Sequence, residues 1–263
     1  MDKTYHFMAG LSRSGSTVLA SILNQNPSVY VTPTSPMLEV TSKLQEIWDK
    51  DQAVNANRFV EQINNITKAI LPAFWKHRLE PIIIDKDRNW GKNMLHASEL
   101  FGREMKAIVT ERDLPSIMAS WLSLIKKDPN SNVDKILQEN NYSVNDDNRM
   151  GFIWFEIVKE NMEVLKQIKI EAPKQIVIVN YDDLINQPMK QIQKIEEFLE
   201  LPKWNYNFDD IKNDTQDNDL FAWGFDGLHT IRPKLQKTSK DPKEILGEEL
   251  YNRFVKMEKD YKI

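Results

Sequence analysis

The chain contains no cysteine. Disulfides, thiolate nucleophiles and zinc sites built on sulfur are therefore excluded. Histidine is scarce as well. His6, His77, His96 and His229 show no H-E-x-x-H or related ligand spacing, so no metal site is expected. No run approaches the roughly 20 apolar residues needed to cross a bilayer. Positive charge is not in excess either: 35 Lys and Arg stand against 39 Asp and Glu, a net charge of −4. Non-specific nucleic-acid binders are basic, so that class drops away, while a local basic site for a small anion remains open. A glycine-bounded motif begins at residue 10 and leaves no room for a secretory leader before it. The expectation is a cytoplasmic protein with neither a nucleic-acid nor a membrane partner.

At 263 residues, with 41% hydrophobic and 28% charged side chains, the chain can bury one sizeable core. No repeat or low-complexity block divides it, and residues 1–263 read as a single domain. The stretch that organises the rest is Gly10-Leu11-Ser12-Arg13-Ser14-Gly15-Ser16-Thr17. A strand-like run over residues 4–9 enters it and an apolar-periodic helix over 18–25 leaves it. Strand, glycine-bounded loop and helix together cradle phosphate, because loop N–H groups converge on the anion and the helix N-terminus adds about half a positive charge. The glycine spacing is that of a nucleotide loop, G-x-x-x-x-G-K-[ST], with Thr17 at its last position. Ser16, however, stands where the lysine belongs, and the cation is Arg13 inside the loop. The site is built for an anion but not for ordinary Mg-nucleotide chemistry.

Further along, residues 27–32 favour a strand, and Pro33 and Pro36 break the chain into a loop. Helical spacing marks 37–48 and 57–75. Residues 81–85 and 105–110 read as buried strands, 92–101 and 114–125 as helices, the latter with Pro115 in its first turn. Residues 128–147 are polar and rich in asparagine, and read as a mobile insertion or substrate-covering loop. A long amphipathic helix follows over 149–168, then a strand over 176–179 and helix to about 199. Residues 202–241 are irregular, and a last helix covers 242–260. Alternating strands and helices with right-handed crossovers predict an α/β fold of three layers, P-loop-like, with a central parallel sheet flanked by helices.

In such sheets ligands bind beyond the carboxyl ends of the strands. Those ends deliver Arg13, then Asp85-Lys86-Asp87-Arg88, then Arg112 with Ser120 eight residues on, and finally Tyr181. Several cations at one rim beside a phosphate loop point to a dianionic or polyanionic ligand.

The set resembles the sulfotransferase family that uses 3′-phosphoadenosine 5′-phosphosulfate (PAPS), most of all its tyrosylprotein-sulfotransferase-like branch and bacterial relatives. Arg13-Ser14-Gly15-Ser16-Thr17 is similar to that family's R-S-G-[ST]-[ST] loop. Arg112-Asp113 with Ser120 matches an R-D-x₆-S spacing, and Asp85-Lys86-Asp87 resembles an N-K-D segment. Tyr181 lies in a stretch like the family's Y-E-x-L, and residues 227–233 resemble a C-terminal segment that closes over the cofactor. The resemblance implies PAPS as cofactor, adenosine 3′,5′-bisphosphate as its product, and no metal. Arg13 and Lys86 are then catalytic, stabilising charge on the transferring group. Ser12, Arg13, Ser14, Gly15, Ser16 and Thr17 hold the 5′-phosphosulfate, Arg112 and Ser120 the 3′-phosphate, with Tyr181, Arg232 and Lys234 as further cofactor contacts. Lys126 and Lys127 stand near enough to Ser120 to assist.

A hydroxyl acceptor needs a general base. The family's glutamate falls where this chain has Thr32-Pro33-Thr34-Ser35-Pro36. Glu39 is the nearest carboxylate downstream and the candidate base, though it reads equally as a solvated helix residue. His77, His96 and His229 are alternatives. The acceptor is a small molecule, peptide or glycan, and Trp223 is a candidate for lining its pocket. The rival functions are a P-loop kinase of small substrates, dependent on Mg²⁺, and a nucleotide-binding module without turnover.

Overall fold

A computed structural model describes the chain apart from residues 1–2, 58, 102–103, 129–130, 214–216, 238–239 and 262–263, and apart from the side chains of 96, 99–100 and 222–223. Five strands form one sheet: β1 Thr4–Gly10, β2 Val29–Thr34, β3 Ile82–Lys86, β4 Ala107–Glu111 and β5 Ile176–Asn180. The spatial order is β2-β3-β1-β4-β5 and every pairing is parallel. β1 lies between β3 and β4, so the chain reverses its winding at the carboxyl end of β1. That end is the topological switch point, where doubly wound sheets open a crevice.

The helices, in order, are α1 Ser16–Leu23, α2 Met37–Lys50, α3 Gln52–Asn57, α4 Val60–Phe74, α5 Met94–Phe101, α6 Leu114–Lys127 and α7 Asn132–Glu139. After them come α8 Asp146–Ile153, α9 Lys159–Glu171, α10 Tyr181–Asn186, α11 Pro188–Leu199, α12 Asp219–Trp223 and α13 Pro242–Lys259. Side chains alternate across β1. Tyr5, Phe7 and Ala9 pack on one face with Trp90, Leu114, Trp121, Ile153 and Phe254. Met8 packs on the other with Leu19, Ile22, Ile192 and Ile195. Each apolar layer exists because successive strand residues point to opposite faces. Fully burying one such Leu or Ile contributes about 1.5–3 kcal/mol.

Three local expectations need correction. Pro33 does not end the strand before it: β2 runs on to Thr34. β2 is the edge strand, where a missing N–H costs no ladder bond, and its register with β3 shifts between Val31 and Thr34. Residues 128–147 are not an open loop. They hold α7 and the start of α8, capped by Ser131 and Asn145, with Val133 and Leu137 buried. Arg149 clamps the two helices together by paired bonds of 2.7 Å to both Asp134 carboxylate oxygens. The long helix predicted over 149–168 is α8 and α9 joined through a π turn at Trp154–Val158, in which Trp154 and Val158 are buried. The last helix, α13, buries Leu246, Leu250 and Phe254 and lies against α6.

Candidate active site

The loop after β1 is shaped by close approach. Gly10 has φ +132°, and a Cβ there would lie 2.2 Å from the Thr110 carbonyl of β4. The loop is then stapled to β4: Leu11 N–H donates to Thr110 O at 2.9 Å, and the Ser14 and Thr110 hydroxyls are 2.7 Å apart. Arg13 adopts a left-handed backbone, φ 59°, which turns the chain around a concave centre. Gly15, at φ 89°, caps α1 with no side-chain cap, so the first N–H groups of α1 are left for a ligand.

The loop serines divide by role. Ser14 Oγ is buried and donates to Leu11 O at 2.5 Å, so its hydroxyl holds the loop's own shape. Ser12 Oγ is also buried and accepts from Trp121 Nε1 at 3.2 Å. Ser16 and Thr17 open α1 and are half-buried.

Two guanidinium groups meet at this loop. Arg13 Nε donates to Ser120 Oγ of α6 at 3.0 Å, and its Nη1 donates to the carbonyl of Leu228. Arg112, just past β4, donates from Nη1 to the Arg13 carbonyl at 3.3 Å. Its guanidinium lies 4.2 Å over the Tyr181 ring. Arg112 Nε is buried with no hydrogen-bond partner among the described residues, a costly state that an anion's oxygen relieves. Burial, then the charge of Arg112, draws the pKa of Arg13 below its ordinary value, while Asp219 opposes the shift.

Tyr181 is set by its neighbour. Asn180 caps α10 by accepting from Asp182 N–H at 2.9 Å. The ring then packs under the loop so closely that a Cβ on Gly15 would meet it at 2.7 Å. Tyr181 therefore supports both the loop and Arg112 from below.

β3 ends in Asp85 and Lys86, both buried. Asp85 accepts three bonds: from Ser35 Oγ at 2.7 Å, Trp75 Nε1 at 2.8 Å and Trp90 Nε1 at 2.9 Å. Burial outweighs these donors and pushes its carboxyl up to about 6. Lys86 is 6% exposed and has no ion pair within 4 Å among the described residues. Burial holds its pKa below the ordinary lysine value, and Asp217 and Asp219 pull it back up.

Those two carboxylates belong to the irregular segment that follows α11, and the sequence reading did not single them out. Asp219 Oδ1 is 2.5 Å from His229 Nδ1, and Asp219 Oδ2 accepts from His229 N–H at 2.7 Å. Asp217 lies 3.4 Å from the same Nδ1 and accepts from Thr34 Oγ1 at 3.0 Å. Beside them is a cavity of about 370 Å³, lined by Asp217, Asp219, Leu220, Asp226, Gly227 and Thr230 among others. No motif spacing reveals this cluster, since it depends on how an irregular stretch folds back.

The remaining candidates fall elsewhere. Glu39 is at the surface on α2, paired with Lys43, both side chains 67% exposed. His77 ends the turn after α4, is exposed, and has its Nδ1 3.2 Å from Phe74 O. The side chains of His96 and Trp223 lie outside those described. Arg232 is exposed. Lys234 is exposed and pairs with Asp209 at 2.7 Å, and Lys126 pairs with Asp146 at 2.5 Å. Lys127 is exposed near the end of α6.

A model of the sulfotransferase family matches residues 6–206 of this chain. The chain belongs to the sulfotransferase family. That match contains the loop, Lys86, Arg112, Ser120 and Tyr181, and stops short of the Asp217–His229 cluster. The chain is 26% identical over 199 residues to a Caenorhabditis briggsae protein named for protein-tyrosine sulfotransferase activity. The alignment takes in 74% of this chain and 65% of that protein. Two solved structures share its fold. One is the sulfotransferase domain from the curacin biosynthetic pathway, with a TM-score of 0.53 at 11% identity over 98% of each chain. The other is the sulfotransferase domain of the Synechococcus PCC 7002 olefin synthase, with a TM-score of 0.53 at 16% identity over 99% of this chain and 95% of that one. Among the described residues, no helix is long and apolar enough to cross a membrane.

Proposed function

We propose that this sulfotransferase moves the sulfuryl group of PAPS onto a hydroxyl, or less readily an amine, of a small molecule, peptide or glycan, releasing adenosine 3′,5′-bisphosphate, and that it needs no metal. The observation that carries this reading is the convergence of Arg13, Ser120 and Arg112 on one loop, with a buried unpartnered guanidinium N–H among them. Two cations side by side repel each other, and a ligand with two separate anionic ends removes that repulsion. The 5′-phosphosulfate fits the loop N–H groups and the start of α1, with Ser16 and Thr17 beside it. Arg112 and Ser120 receive the 3′-phosphate, and Tyr181 keeps Arg112 in place. Arg13 and Lys86 stabilise charge that develops on the bridging and sulfuryl oxygens. Fixed cations suffice because a sulfuryl group carries one charge fewer than a phosphoryl group. The whole chain acts as one domain, with the segment 202–241 closing over the donor.

The test is release of the bisphosphate from PAPS by the full chain, with a panel of hydroxyl acceptors, in the presence of EDTA. Turnover persists in EDTA on this account. Lys86→Ala lowers turnover about 100-fold or more, by analogy with loss of one oxyanion donor, and changes bisphosphate affinity far less. Turnover that needs Mg²⁺ and ATP would instead identify a kinase.

A further inference from the structure

Sulfuryl transfer to a hydroxyl needs a group that takes the proton, and Glu39 is occupied at the surface with Lys43. We propose that His229 is that general base and that Asp219 is its positioning residue. This deepens the sulfuryl-transfer reading and rests on it.

Asp219 grips His229 at two points, the backbone N–H and ring Nδ1. An ionised carboxylate only accepts, so Nδ1 carries the ring proton and Nε2 is left with its lone pair. A nitrogen base oriented by a carboxylate is the arrangement by which hydroxyl groups are activated elsewhere in enzymes. The pair also stands at the transfer site. Leu228, the residue before His229, gives its carbonyl to the loop arginine. Asp219 acts as an attracting charge on both Arg13 and Lys86, the two cations assigned to the moving sulfuryl group. Asp217 and Asp219 face ring Nδ1 from its own segment. The same two carboxylates attract Lys86 of β3. The cavity formed by residues on either side of His229 offers the acceptor a place.

In the step, the acceptor oxygen bonds to sulfur while its proton passes to His229 Nε2. The bond from sulfur to the 5′-phosphate oxygen breaks, and its electron pair leaves with the bisphosphate. His229 becomes an imidazolium, which Asp219 stabilises.

The experiment compares two acceptors in the full chain supplied with PAPS: water, which must lose a proton, and p-nitrophenol at a pH where it is already ionised. With water, His229→Gln should slow bisphosphate release at least about 100-fold, the contribution of a general base. With p-nitrophenolate the rate should stay near that of the wild type. Bisphosphate affinity, measured by calorimetry, should be unchanged, which shows that the site is folded. Asp219→Asn, which loosens the hold on ring Nδ1, should slow the water reaction and leave the p-nitrophenolate reaction near that of the wild type. Equal losses on both acceptors, or no loss on water, would overturn the assignment. If the wild type releases bisphosphate with neither acceptor, the failure lies with the sulfuryl-transfer reading itself.

Discussion

Asp85 shows how one residue sets the geometry of the next. Its carboxylate is fully buried, and its three donors come from the link between β2 and α2, from the turn after α4 and from the turn after β3. It thereby fixes the backbone that presents Lys86. With a carboxyl pushed up to about 6 against an ordinary 3.8, the folded chain keeps a proton between about pH 4 and pH 6 that the unfolded chain releases. Stability from this group therefore falls as pH rises through that window, by on the order of 3 kcal/mol in all. Chemical denaturation of wild type and Asp85→Asn across that range checks it: the wild-type advantage should shrink from pH 4 to pH 6 and then level off. Some residue positions stand out in the sequence because they follow local spacing. Arg13, Arg112 and Ser120 are of this kind, and the structure brings them together. Ser14 lies in the same motif, yet its hydroxyl turns inward to Leu11 and Thr110, a rotamer that no motif encodes. The grip of Asp219 on His229 spans ten residues of irregular chain and carries no periodic signal.

At the scale of elements, the anion loop is held from two sides. Thr110 of β4 staples its first half, and the Tyr181 ring fills the space beneath Gly15. Gly15→Ala would meet that ring at 2.7 Å and place a side chain at φ 89°. We expect it to weaken bisphosphate binding at least tenfold, about 1.4 kcal/mol, and to lower overall stability as well, since an Ala is strained at that φ. Tyr181→Phe should bind like wild type, whereas Tyr181→Ala should lose affinity because Arg112 loses the ring it lies over. Calorimetry on the three variants separates these outcomes. Strands were readable from short apolar runs closed by charge, as at Ile82–Lys86. The helices within 128–147 were not, because α7 buries only Val133 and Leu137 amid polar residues, α8 buries residues beyond that stretch, and their order rests on Asn145, Ser131 and Arg149. Pro33 misled for a related reason: whether proline ends a strand depends on whether that strand is at an edge, which is a property of the sheet.

For the whole molecule, topology decides where the charges meet. Alternation of strand and helix in the sequence implies a parallel sheet, and the observed order places β1 at its centre with β3 and β4 on either side. Lys86, Arg13 and Arg112 leave the carboxyl ends of these three neighbouring strands, so a chain of net charge −4 concentrates cations at one rim. The C-terminal segment then lies against that rim through Leu228 and supplies the opposing carboxylates. The central claim is that Arg13 and Arg112 hold the two ends of one nucleotide. Calorimetry of the metal-free protein with adenosine 3′,5′-bisphosphate and with adenosine 5′-phosphate tests it most directly. The account predicts much tighter binding of the bisphosphate, and a loss of at least tenfold in Arg112→Ala that is confined to it. Equal affinity for the two nucleotides, or an Arg112→Ala variant that weakens both alike, would contradict it.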